Sequence, residues 1–172
     1  MQLLSVIPFT SNQTSNPELM DCFLNHLKNL SIPFWNSTSD NQEHKVEPKL
    51  IIDALEKTNS PVAVVDTNLR FLVKPEVIVN LKCDIALFSN PRSKTQSFDS
   101  SFILFKPTSK TFFFLKNWEL ELGRSRDKDF MESFCSLLKK EALYTQILPL
   151  NPLLKKEAVD DSPFFLRWFL KV

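Results

Sequence analysis

Asp66 and Asn68 stand two residues apart at the end of the apolar run Pro61-Val-Ala-Val-Val65. A carboxylate and an amide both offer hard oxygen donors, the type that Mg²⁺ and Mn²⁺ take. The same spacing also suits an Asx-type turn, in which Asp66 bonds to the backbone that follows it. Arg70 comes shortly after, placed either to meet an anion held at Asp66 or to form a surface ion pair. A second acidic pair, Asp127 and Asp129, opens a helical pattern. Carboxylates there favour the positive end of the helix dipole whatever else they do. Other catalytic constellations are missing. The chain holds two histidines, His26 and His44, and no G-x-S-x-G or H-E-x-x-H run, so neither a serine-hydrolase triad nor a zinc-protease helix can be written. Cys22, Cys83 and Cys135 are odd in number and lack a C-x-x-C pair; buried free thiols are expected rather than a zinc site or disulfide framework.

The elements that must position these groups are legible from periodicity. Four apolar residues before Asp66 describe a strand covered on both faces, with Asp66 at its carboxyl end, the edge where open α/β sheets bind ligands. Ahead of it, Leu3 to Pro8 reads as a first strand whose end opens onto a polar loop. Asn16-Pro17-Glu18 starts a helix carrying Met20, Phe23, Leu24, Leu27 and Leu30. Ile32 to Trp35 reads as a short strand, Asn36 to Lys45 as a polar loop, and Pro48 opens a helix with Leu50, Ile51, Ala54 and Leu55 inward, stopped by Asn59-Ser60-Pro61. After Asp66, a short helix over Pro75 to Asn80 precedes strands at Asp84 to Phe88 and Ser101 to Phe105, separated by a basic loop. A helix with Thr111, Phe114, Leu115, Trp118 and Leu122 on one face follows, with Gly123 placed as its stop. A helix from about Asp127 to Lys140 and a strand from Thr145 to Leu148 complete an α/β alternation.

Composition narrows the rest. With 172 residues, 43% hydrophobic and 24% charged, the chain should form one folded domain. A net charge of +1 gives no field for nucleic acid or an anionic membrane. Gly123 is the only glycine, which excludes dinucleotide-binding and P-loop cradles, since those backbones must turn tightly against phosphate. The first residues lack a basic lead and a long apolar run, so neither a signal peptide nor a membrane span is expected, and a cytoplasmic location is.

The order of motifs from Pro48 to about Pro149 resembles the GT-A-type nucleotide-diphospho-sugar glycosyltransferases, in their short forms. Pro48-Lys-Leu-Ile-Ile-Asp-Ala-Leu-Glu56 is similar to their helix before the metal strand, and Pro61-Val-Ala-Val-Val-Asp-Thr-Asn-Leu-Arg-Phe71 to the Asp-x-Asp strand and its continuation. Asp84-Ile-Ala-Leu-Phe88 is similar to the next strand. Ser100-Ser-Phe-Ile-Leu-Phe-Lys-Pro-Thr108 resembles the acceptor-side strand, and Asp127-Lys-Asp-Phe-Met131 and Ile147-Leu-Pro-Leu150 the later helix start and strand. The resemblance implies a single three-layer α/β domain over residues 1–150, with a mostly parallel central sheet flanked by helices. A C-terminal aromatic tail over 151–172 would pack on it.

It also implies sugar transfer from a nucleotide-diphospho-sugar donor to an unidentified acceptor, assisted by Mn²⁺ or Mg²⁺ on Asp66 and Asn68. Phe9 and Thr10 would lie near the base, Arg70 at the phosphates and Ser101 by the donor sugar. Asp127 or Asp129 would contact the sugar or act near the acceptor. The second acidic position is Asn68, which brings no charge, so metal affinity should be low. Asn68, together with Glu47 and Ser101 where the family often has Lys and Gly, points to the alternative: a catalytically inactive GT-A-like binding or interaction module.

Overall fold

The computed structural model describes residues 4–10, 17–35, 46–69, 71, 76–89, 98–124, 130–141 and 143–148. The elements run β1 (Ser5–Phe9), α1 (Pro17–Asn29), α2 (Pro48–Thr58), β2 (Val62–Asp66), α3 (Glu76–Val79), β3 (Ile85–Ser89), β4 (Phe98–Phe105), α4 (Ser109–Arg124), α5 (Phe130–Lys140) and β5 (Thr145–Leu148). The strands form one five-stranded sheet in the order β1-β2-β4-β3-β5. Pairing is parallel for β1 with β2 and for β3 with β5, and antiparallel where β4 meets β2 and β3. Four strands therefore share one direction and β4 alone runs against them. That reversal is invisible in periodicity, because a strand buried on both faces reads the same whichever way it runs.

Alternation along the strands divides the core into two layers. Val62 and Val64 pack with Ile51, Ala54 and Leu55 of α2, Phe114, Leu115 and Trp118 of α4, and Phe134 of α5. Ala63 and Val65 face the opposite way, against Phe23 and Leu27 of α1 and Ile78 and Val79 of α3. Successive strand side chains point to opposite faces, so one apolar run serves both layers and a three-layer α/β domain results. The aromatic packing is densest between α4 and α5, where the Phe134 ring lies 4.9 Å from Trp118 and 5.4 Å from Phe114.

Local rules explain the helix leading to the site. Pro48 occupies the first turn of α2, where its missing N–H costs nothing. Asn59 ends the helix in the left-handed region, φ 47°, with its N–H donating to the Leu55 carbonyl at 2.9 Å. Asparagine tolerates that conformation better than most residues, so the chain turns here without a glycine.

Four expectations are corrected. Ile32 to Trp35 is not a strand: it touches the sheet by one parallel bridge, Val6 with Phe34, held by Val6 N–H to Pro33 O and Trp35 N–H to Val6 O. Gly123 lies inside α4 and does not adopt positive φ, so it is not a left-handed stop. Strand β4 begins at Phe98, three residues before the expected Ser101. Cys22 is exposed on α1, whereas Cys83 is buried and Cys135 half-buried. The loop over 36–45, the basic loop from Asn90 to Ser97 and the tail over 151–172 lie outside the described residues. Among the described residues, no helix is long and apolar enough to cross a membrane.

Candidate functional site

The carboxyl ends of β1 and β2 meet at one level, because the parallel register pairs Phe9 with Asp66. Thr67 N–H donates to the Phe9 carbonyl at 2.8 Å, carrying the ladder one step past the strands. The hydroxyls of Thr10 and Thr67 lie 3.3 Å apart and tie the two exits together. Thr67 is fully buried and Asp66 is 3% exposed, whereas Phe9, Thr10 and Asn68 are half-buried. Hence Phe9, Thr10, Asp66, Thr67 and Asn68 form one rim at the edge where a ligand of such a sheet sits.

The β2–β4 register continues this rim. Val65 pairs with Phe102, so Ser101, the next residue toward the edge, stands level with Asp66. On its other side β4 loses register with β3: Leu87 faces Ile103, while Phe88 faces Asp99. The residues Ser100, Ser101 and Phe102 thus oppose a single step of β3. Irregularities of this kind re-aim the bulged strand and recur beside binding sites. The same register places Asp99 at the carboxyl edge. Periodicity gives no sign of Asp99, because Phe98-Asp99-Ser100 mixes polar and apolar residues.

The Asp66 carboxylate is held by its own turn. Its Oδ1 accepts from the Asn68 backbone N–H at 2.9 Å and from the Asn68 side-chain Nδ2–H at 2.8 Å. Leu69 N–H donates to the Asp66 carbonyl at 2.9 Å, closing the turn. The Asn68 amide must present its nitrogen to Asp66, since an amide oxygen at that distance from a carboxylate would place two acceptors face to face. The Asx-type turn is therefore formed, and Oδ2 has no partner among the described residues. Further along the chain, His26 Nε2–H on α1 donates to the Phe71 carbonyl at 2.7 Å. That bond requires a proton on Nε2 and ties Phe71, on the chain after β2, to α1. A histidine on a helix flank gives no sequence signal of this contact, which spans 45 residues.

Metal chemistry requires several hard ligands around one point. Asp66 offers only Oδ2, because Oδ1 already accepts two N–H groups, and the Asn68 amide has turned its donor end inward. Among the described residues, no group of three or more His, Cys, Asp or Glu side chains is placed to hold a metal ion. The donor set that the described chain provides does not fit a divalent cation. Of the other expected site residues, Arg70, Asp127 and Asp129 lie outside the described residues.

A second buried aspartate occupies the opposite edge of the sheet. Asp84, just before β3, accepts from Thr108 Oγ1 at 2.7 Å and from Tyr144 N–H at 2.8 Å. Its backbone carbonyl accepts from Lys106 N–H and Thr111 Oγ1. The side chain thus joins the start of α4 to the start of β5, with every described partner internal. Nearby, Lys106 Nζ donates to the Val79 carbonyl. Burial lowers the Lys106 ammonium below its ordinary value, partly opposed by Cys83, and burial raises the Cys83 thiol. A cleft of about 280 Å³ at this same edge is lined by Ser109, Lys110, Phe113, Glu141 and Leu143. It has no carboxylate apart from Glu141, and the strand length separates it from Asp66.

No family model and no curated protein matches the sequence. Solved structures do match. A glycosyltransferase involved in the glycosylation of the major capsid of PBCV-1 superposes with a TM-score of 0.62 at 8% identity, over 86% of this chain and 82% of that one. A hypothetical transferase from Thermus thermophilus matches with a TM-score of 0.48 at 9% identity, over 87% and 93% of the two chains. A 4-diphosphocytidyl-2C-methyl-D-erythritol synthase from Anaerococcus prevotii gives 0.47 at 8% identity, over 86% and 89%. The first of these shows that the fold is of the GT-A type.

Proposed function

We propose that the chain binds a nucleotide-diphospho-sugar at the carboxyl edge of β1 and β2 and transfers its sugar to an acceptor hydroxyl. One observation carries the reading: Asp66 is buried at the carboxyl edge of a GT-A-type sheet, level with Phe9 and Ser101, and its Oδ2 has no partner among the described residues. A buried carboxylate with one unused acceptor is suited to a sugar hydroxyl, which donates to it without bringing charge. The PBCV-1 protein, which shares this fold, is described as a glycosyltransferase.

In this reading Asp66 Oδ2 accepts from a ribose hydroxyl, Phe9 and Thr10 border the base, and Ser101 borders the donor sugar. Transfer makes a bond from the acceptor oxygen to the anomeric carbon and breaks the bond from that carbon to the diphosphate. The acceptor proton passes to Asp127 or Asp129, and the diphosphate leaves with its added negative charge. Arg70 is the cation nearest to Asp66 in sequence and is assigned to that charge, since fixed cations at the leaving group act where charge develops.

A second reading is favoured by the bond from Asn68 to Asp66, which satisfies half of the carboxylate without any ligand. It keeps the fold as a binding or interaction module without turnover. The two are separated by calorimetric titration of the whole chain with UDP- and GDP-sugars, followed by assay for free nucleotide. Binding that Asp66→Ala abolishes, with release of nucleotide, supports transfer. Binding without release supports the inactive module as a donor binder, and binding of no donor refutes transfer and leaves the interaction module.

A further inference from the structure

We infer that Asn68 acts as an amide clip on Asp66 and makes this a site that takes its donor without a divalent cation. The inference rests on the donor-site reading of the β1–β2 edge and concerns how that site meets a diphosphate. In an Asp-x-Asp pair the second carboxylate cannot donate a hydrogen bond, so both acids keep their lone pairs and share a cation between them. Here position 68 is an amide, and its Nδ2–H sits 2.8 Å from Asp66 Oδ1, beside its own backbone N–H at 2.9 Å. Two N–H groups on one carboxylate oxygen occupy the positions a metal would use and place positive hydrogens where a cation would sit.

Charge points the same way. Holding a hard dication near a diphosphate depends on the number of anionic ligands. Asp66 is the single anionic side chain between Phe9 and Asn68 on the β1–β2 rim, and half of it is engaged. The clip also does positive work for a metal-free site: it fixes the carboxylate plane through Oδ1, so that the position of Oδ2 is set before any ligand arrives. Residue type alone makes Asn68 a weaker ligand for the same ion. The hydrogen bond makes it a replacement for the ion, in its role of orienting Asp66.

Two measurements test this on the full chain. In the first, Mn²⁺ alone is titrated and followed by loss of its free electron-spin signal, with no nucleotide present. Wild type should leave the signal unchanged at stoichiometric concentrations, whereas Asn68→Asp, which swaps the donor amide for a second carboxylate, should bind at least about tenfold more tightly. Asn68→Ala removes the clip without adding charge and should remain silent. Stoichiometric binding by wild type overturns the inference, and so does an Asn68→Asp variant that is folded by circular dichroism yet gains nothing.

In the second, the UDP- and GDP-sugar titrations are repeated in excess EDTA and in Mn²⁺. Equal affinity is expected for any donor that binds. A donor that binds only with Mn²⁺ overturns the metal-free site while leaving the donor site standing. If no donor binds in either buffer, the donor-site reading fails, and the Mn²⁺ titration still decides the role of Asn68.

Discussion

Two buried aspartates sit at opposite edges of one sheet, and replacing each by alanine should have opposite consequences. In Asp84→Ala the Thr108 hydroxyl and the Tyr144 N–H lose their charged acceptor, at 2.7 and 2.8 Å. Hydrogen bonds to charged groups are worth roughly 1.5–3 kcal/mol each, which gives roughly 3–6 kcal/mol for two. Removing the carboxylate also removes the cost of burying it, so the lower end, about 3 kcal/mol, is expected. For a chain of this size each kcal/mol moves the melting point by about 2–4 °C, predicting a fall of about 6–12 °C. Asp84→Asn should lose much less, because its oxygen can accept from Tyr144 while the Thr108 hydroxyl reverses and accepts from its amide.

Asp66→Ala loses two bonds as well, but both come from Asn68 within the same turn. Asn68 is half-buried and its freed N–H groups can turn to water, so the cost should be about 1 kcal/mol, or about 2–4 °C. The assay is thermal unfolding by circular dichroism for the three variants, paired with donor titration of those folded at 20 °C or about that temperature. The folded part of Asp84→Asn should bind donor as wild type does, and Asp66→Ala should not. Equal destabilisation by the two alanines, or loss of donor binding in Asp84→Asn with the melting point intact, would refute the division between a structural and a functional edge.

Three further outcomes are expected. Gly123→Ala should stabilise the chain by about 0.5–1 kcal/mol in urea unfolding, since the residue is helical, its φ is not positive, and an added Cβ meets nothing within 4 Å; a loss of stability contradicts its placement inside α4. His26→Ala removes the bond to the Phe71 carbonyl, worth about 1 kcal/mol, and should quicken amide exchange at Leu69 by roughly fivefold while Val64 in the sheet is unchanged; equal rates would show that α1 does not brace the site. Lys106 should make stability depend on pH: between its lowered folded value and its ordinary 10.5 the unfolded chain binds more protons, so its contribution rises with pH. Cys83, with its raised folded value, works in the opposite sense above its ordinary 9.0. With Cys83→Ala in both chains to remove the thiol, urea midpoints for Lys106 relative to Lys106→Met should climb as pH rises toward 10.5, and a flat difference contradicts the burial of the ammonium.

Much of the frame was legible because hydrophobic period reports burial directly. The run before Asp66 is a strand buried on both faces, and Thr111, Phe114, Leu115 and Trp118 form the buried face of α4. Asn59 ends α2 as its residue type allows. Errors arose where identity alone is ambiguous. Gly123 suits either a left-handed stop or a helix interior that tolerates it, and Ile32 to Trp35 has strand composition but makes only one bridge. The start of β4 was missed because Phe98-Asp99-Ser100 mixes polar and apolar residues at a place where the ladder itself shifts register.

Sequence by itself determined which residues can carry charge and which faces must be buried: Asp66 at the end of a two-faced strand, an amide in place of its neighbouring acid, and no glycine-rich phosphate cradle. Tertiary structure decided what those residues do. The reversed strand β4 brings Ser101 level with Asp66, His26 reaches across 45 residues to the chain leaving the site, and the near-equivalent Asp84 is consumed in joining α4 to β5. Two aspartates of the same type, each flanking a buried strand, differ in role because a hydrogen bond depends on which partners the fold brings within 3 Å, and that is set by strand order and direction rather than by spacing along the chain.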